Sequence, residues 1–282
     1  MTQTVRNEEF KEVIRLKESP TVDKLFTRPK QSANVLFKCM SRLEYLKEIL
    51  DKQAIMPRYY EEKIDYLNIE GLDKIAFPMS CFCDIHLNKL VDHMQNYGWF
   101  AIGLSKEWGI KKGIQPIHYI NGYSVLTKDF SSIFNSAMGK NQNERNVYSA
   151  YHNYLLIDLL FMKPLEGKMI TNEGYEHRNF HDEKEWRFIP NINEDDRDLP
   201  LIIPQEQMNP KGYNTYSDVI QKRDDLWLEF ELNVIKYIIV SDQNAKKELI
   251  TFLRENKKSE NIDEIIDLCS KVLVFDELRE DW

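Results

Sequence analysis

An α+β fold, with a mixed or mostly antiparallel central sheet flanked by helices, is what this sequence predicts, on three observations. Short apolar or aromatic runs of strand length recur along the chain, near 35–37, 75–83, 99–104, 115–120, 186–189 and 234–241. Segments between and after several of them space their apolar residues for helices. A hydrophobic fraction of 42% in 282 residues supports a sizeable core, and no repeat, low-complexity tract or sharp composition shift divides the chain.

Taken in order, residues 6–17 set Phe10, Val13, Ile14 and Leu16 among charges at helical spacing, which predicts a short amphipathic helix. The stretch Ser19 to Asn34, carrying Pro20 and Pro29, reads as a linker. The expected division is therefore an N-terminal helix and linker over 1–33 and a single α+β domain over 34–282. Val35-Leu36-Phe37 is a first strand. Ser41 and Glu44 then have the spacing of a capping box, opening a helix with Leu43, Leu46, Ile49 and Leu50 on one face that ends near Ala54. Pro57-Arg58-Tyr59-Tyr60-Glu61 is expected to be an aromatic turn.

Ile75 to Cys83, Trp99 to Leu104 and Gln115 to Ile120 are the predicted central strands, with a helix over 85–96 between the first two. Residues 144–163 lack Gly and Pro and predict a long core helix stopped by Pro164. Trp186 to Ile189 is a short strand, and the polar, proline-bearing stretch 191–225 predicts an excursion with little regular structure. Val234 to Ser241 is the cleanest strand. Helices follow at about 244–253 and 262–269, then a last strand from Val272 to Phe275.

Charge and composition narrow the function classes. A formal charge of −8 and a pI near 5.4 disfavour a broad nucleic-acid-gripping surface, since phosphate binding is driven by Lys and Arg displacing counterions. Cys39, Cys81, Cys83 and Cys269 follow no charged-then-apolar leader, so reduced thiols in a cytoplasm are expected. No apolar run reaches the roughly 18 to 20 residues of a membrane span, so no membrane association is expected.

Several motifs carry possible chemistry. Cys81-Phe82-Cys83-Asp84-Ile85-His86 holds soft and nitrogen ligands, but Cys-x-Cys on a strand points both thiols to one face and no second ligand pair follows at a standard interval, so the expectation is buried thiols without a metal. A helix would align His177, His181 and Glu185, although the order is not His-Glu-x-x-His. The ten glycines form neither a Walker loop nor a dinucleotide fingerprint, and no nucleophile elbow occurs. In Glu183-Lys184-Glu185-Trp186-Arg187-Phe188, strand alternation puts Glu185 and Arg187 on one face, and Trp186 and Phe188 on the other. A carboxylate so held can stabilise positive charge on a bound ribose; the alternative is a salt-bridged strand edge with its aromatics in the core. Tyr59 and Tyr60 can stack on a base or nicotinamide ring, or be ordinary turn tyrosines.

Read together, Leu36-Phe37-Lys38, Leu43-Glu44-Tyr45-Leu46-Lys47, Pro57-Arg58-Tyr59-Tyr60-Glu61, Pro78-Met79-Ser80-Cys81-Phe82-Cys83-Asp84-Ile85, His93 with Tyr97-Gly98, Ile102-Gly103-Leu104-Ser105-Lys106-Glu107-Trp108-Gly109, Gln115 to Ile120 and Glu185-Trp186-Arg187 make the chain resemble the AbiGi family over roughly residues 34–240. That resemblance implies bacterial anti-phage defence by abortive infection, and membership of a toxin-antitoxin pair as its antitoxin side. More distantly, the order of elements is similar to ADP-ribosyltransferase-like folds, including the DarT-like enzymes. This second resemblance implies an ADP-ribosyltransferase-like toxin with NAD as substrate, with Glu185 as the catalytic glutamate, Tyr59 or Tyr60 by the nicotinamide, and Arg187 beside them. Lys38 falls on the first-strand position that usually holds His or Arg, a departure that trades a planar donor for a point charge. Nucleic acid then enters only as a substrate to be modified, with protein as the other acceptor class. The alternative it leaves is an inert antitoxin or phage-sensing binding protein, meeting a toxin partner or a phage-derived trigger through surface aromatics and the 191–225 excursion.

Overall fold

A nearly continuous apolar run from Lys74 to Cys83 builds a ten-residue strand, the spine of the fold. In this computed structural model the described residues are 32–139, 143, 147, 149–171, 174–193, 196, 198–256 and 262–281; the helix predicted over 6–17, and the linker before Ser32, lie outside them. The elements run in the order β1 (Val35–Met40), α1 (Leu43–Lys52), β2 (Ala54–Ile55), β3 (Arg58–Lys63), β4 (Lys74–Cys83), α2 (Leu90–Tyr97), β5 (Phe100–Ser105) and α3 (Lys106–Lys111). There follow β6 (Gln115–Pro116), β7 (His118–Ile120), α4 (Val125–Met138), α5 (His152–Leu160), β8 (Met162–Pro164), β9 (Glu166–Thr171), β10 (Gly174–Asn179) and β11 (Glu185–Phe188). The chain continues with α6 (Pro210–Ile220), β12 (Leu228–Glu229), β13 (Ile235–Val240), α7 (Gln243–Asn256), α8 (Ile262–Ser270), β14 (Val272–Val274) and α9 (Phe275–Asp281).

The main sheet has the order β14-β13-β5-β1-β4-β11-β6, with β3 also on β4. Every pair in it is antiparallel except β13 with β14, so the α+β expectation of a mostly antiparallel mixed sheet holds. One face packs under α1 and α7, where Leu46, Leu50, Ile102, Ile238 and Leu249 are fully buried; each such side chain contributes on the order of 2 kcal/mol. The other face packs Phe37, Ala101 and Ile239 against Leu90 and Met94 of α2 and Phe275. The first half of β4 is covered by α4 and α5 through Phe77, Phe130, Phe134 and Leu159.

Several elements differ from expectation, each for a local reason. The residue before α1 is Arg42, with no side-chain cap; Glu44 pairs with Arg42 at 3.2 Å, so the Ser41–Glu44 capping box does not form. The aromatic turn is strand β3, hydrogen-bonded to β4 from Arg58–Met79 to Lys63–Lys74. Pro78 is accommodated there because that stretch of β4 has a partner in β3 alone, so its missing N–H breaks no second ladder. The long helix expected over 144–163 is confined at its C-terminal end to α5, because residues 162–164 leave it to pair in parallel with β7. Gln115 to Ile120 divides between two sheets. Within 191–225, Asn209 accepts the Gly212 N–H at 3.0 Å and Pro210 starts α6, making a helix where none was expected.

Candidate functional site: a cleft where two strands part

β1 and β4 are in register at a single position, Phe37 opposite Cys83. Beyond it the open space becomes a cleft of about 550 Å³, lined by Lys38, Cys39 and Ser41 from the β1 side and by Arg58 and Tyr60 from β3. Tyr45, Phe82, His93, Tyr97, Lys163, Glu183 and Glu185 complete the parts of the wall that bear on chemistry. The volume is that of an ordinary small-molecule site.

Strand register builds the acidic end. Glu185 lies opposite Cys83 and Arg187 opposite Cys81, so Phe37, Cys83 and Glu185 form one row across three strands. Alternation along β11 brings Glu185 and Arg187 to the same face, as the sequence predicts, and packs Trp186 and Phe188 on the opposite core. Arg187, fully buried, donates from Nε to Glu185 Oε1 at 2.6 Å and from Nη1 to the Leu160 carbonyl at 2.7 Å. Its Nη2 lies 3.2 Å from Glu62 Oε1, an ion pair without hydrogen-bond alignment. Lys163 bridges two acids, reaching Glu185 Oε2 at 2.8 Å and Glu183 Oε2 at 2.9 Å. The Tyr97 hydroxyl donates to Glu183 Oε1 at 2.5 Å.

These contacts and the burial around them shift the ionisable groups. Burial would push the Glu185 carboxyl up, but Arg187 and Lys163 outweigh it and hold the group down at about 2. Burial likewise opposes the Lys163 charge, and the surrounding Glu185, Glu62 and Glu183 raise it well above the usual lysine range. Burial lowers Lys38. Neither Lys38 nor Arg58 is in an ion pair with the described residues, whereas Lys163 is shared by two carboxylates. The cleft wall thus carries the Lys163-bridged carboxylates together with Lys38 and Arg58, and the exposed Tyr60.

The residues singled out in the sequence are distributed unevenly. Glu185, Lys38 and Tyr60 line the cleft; Arg187 lies behind Glu185 rather than on the wall. Tyr59 points away, because neighbours on β3 face opposite sides: its hydroxyl donates to the Pro200 carbonyl at 2.5 Å, and it packs with Leu199, Ile203 and Ile220. Of the two tyrosines, only Tyr60 can meet a ligand here. His177 lies on β10 and His181 in the short turn before β11, where it packs against Tyr119, so no helix aligns them with Glu185. Sequence reasoning missed Lys163 and Glu62, assigned to a helix and outside any motif respectively, and missed Glu183 as a partner. It also missed that Cys39 of β1, Cys83 of β4 and His93 of α2 converge, with their ligand atoms all within 4.8 Å of one another. A hydrogen bond with Cys83 is the main cause that lowers the Cys39 thiol to about 6, while burial pushes Cys83 far up.

No solved structure matches the chain. The chain is 34% identical over 251 residues to "Abortive phage resistance protein AbiGi" of Lactococcus lactis subsp. cremoris, covering 81% of this chain and 100% of that relative. Residues 53–241, which include both ends of the cleft's acidic network, match the family model described as "Putative abortive phage resistance protein AbiGi, antitoxin". Among the described residues no helix is long and apolar enough to cross a membrane. With the relative matched over its whole length and the family model over most of the sheet, the chain belongs to the AbiGi family of abortive phage resistance proteins.

Proposed function

We propose that this chain acts in abortive infection as an NAD-consuming transferase, with the cleft as its NAD site and Glu185 as the catalytic carboxylate. The observation that carries the reading is a carboxylate held ionised at the wall of a small-molecule cleft that is also lined by Lys38 and Arg58, neither in an ion pair among the described residues. In the reaction, the bond between the nicotinamide nitrogen and the ribose carbon breaks, and nicotinamide leaves with the electron pair. The ribosyl carbon gains cationic character, and an acceptor nucleophile on nucleic acid or protein attacks it and loses a proton. Arg187 and Lys163 each occupy one lone pair of Glu185, and each oxygen retains another, so the carboxylate still accepts a ribose hydroxyl. Lys38 and Arg58 suit the pyrophosphate, and Tyr60 suits the face of a ring. The distant resemblance to ADP-ribosyltransferase-like folds points the same way.

A second reading rests on a different observation. Val125, Leu126 and Ile133 of α4 and Tyr154 and Ile157 of α5 are exposed, an apolar face on two packed helices. The family model's description names an antitoxin, and an antitoxin acting through a toxin partner would use such a face. One experiment separates the two. Purified chain, with its neighbouring gene products present and absent, is incubated with labelled NAD and extract of infected cells. The transferase reading expects nicotinamide release that Glu185→Gln reduces by about a hundredfold or more. Absence of turnover, together with a stable complex lost on Tyr154→Asp, would overturn it in favour of the antitoxin.

A further inference from the structure

We infer that Cys39, Cys83 and His93 form a site for one divalent ion of the zinc class, with its fourth coordination position open to the cleft. The three residues come from β1, β4 and α2, separated by 44 and 10 positions, so their meeting is a product of the fold and not of a local motif. Two thiol sulfurs and an imidazole are the soft and borderline donors that zinc, and cobalt in its place, prefer over hard cations. In a tetrahedral site with zinc–sulfur bonds of about 2.3 Å, neighbouring ligand atoms stand about 3.8 Å apart. The ligand atoms here already lie within 4.8 Å, so side-chain rotation closes the remaining gap of about 1 Å at most.

The surroundings suit a bound ion. Cys83 is buried in the sheet row beside Glu185, while Cys39 and His93 are half-buried and line the cleft, so the ion has protein on one side and the cleft on the other. Among the described residues no fourth His, Cys, Asp or Glu joins the three. Three protein ligands with an open position is the arrangement of reactive rather than purely structural zinc sites. Tyr97, whose hydroxyl holds Glu183, packs its ring against the His93 ring at 4.5 Å between centroids, tilted by 30°, and supports the imidazole. On binding, the thiols release their protons to solvent, and water or a ligand oxygen fills the fourth position. This site stands apart from the NAD reading, since the ion is bound by the chain alone, without nucleotide.

Titration of the reduced full-length chain with Co²⁺ provides the test. The expected result is one equivalent bound, with thiolate-to-cobalt charge-transfer absorption, intense tetrahedral visible bands, and a change in those bands when azide is added. Zn²⁺ should displace the cobalt stoichiometrically. His93→Ala and Cys39→Ser should each weaken binding by at least about tenfold, with an unchanged circular dichroism spectrum showing that the fold survives, and Cys269→Ser should leave the titration as it is. No charge-transfer band in the wild type, or cobalt affinity unchanged in either ligand variant, would overturn the site. Bands insensitive to azide would overturn its open position.

Discussion

Removing the guanidinium of Arg187 would leave Glu185 and Glu62 short of their shared counter-charge in a wall that is almost closed to water. Breaking a buried pair from one side is far costlier than replacing both members, because the remaining charge stays desolvated. Arg187→Met, close to it in length, is therefore expected to lower unfolding free energy by about 3–5 kcal/mol in urea denaturation. Adding Glu185→Gln to that variant should recover part of the loss; strict additivity of the two changes would show that the pair does not interact. Glu185 thus has two roles separable by experiment, one in holding β11 in place and one at the cleft wall.

At the scale of elements, α6 depends on its first turn. Asn209 supplies the acceptor that satisfies Gly212 N–H, and Pro210 fits a position that needs no donor, so Asn209→Ala should cost about 1 kcal/mol in a denaturant midpoint without altering cleft binding. This helix was legible in the sequence as Asn-Pro, a cap signal that the polarity of 191–225 obscured. Strands were legible wherever apolar residues ran continuously, as in β4, β5 and β13, since burial on both faces leaves little ambiguity. Helix α4 was missed although Phe130, Phe134 and Ala137 share its buried side, because its exposed Val125, Leu126 and Ile133 blur the amphipathic pattern. In the candidate site, Glu185 and Arg187 were legible because strand alternation alone puts them together. The convergence of Cys39, Cys83 and His93 depends on which strands become neighbours, and no local spacing records that.

For the molecule as a whole, acid is expected to act through the cluster around Glu185. Its carboxyl sits at about 2 when folded, against an ordinary value of 4.5, so its contribution to stability is complete above about pH 4.5 and is lost as pH falls towards 2. The urea midpoint should drop across that window, and the drop should be shallower in Glu185→Gln; identical acid profiles would show that the group adds nothing to the pH dependence. Strand order has a separate consequence. β5 waits for β13, which begins at Ile235, and β4 waits for β11, which begins at Glu185. On the ribosome, a nascent chain therefore carries an unsatisfied β5 edge until β13 is made, and a prematurely released fragment ending before β13 presents that edge to chaperones and proteases. A chain truncated before Ile235 is therefore expected to turn over faster than the complete one, since only the complete chain covers the β5 edge.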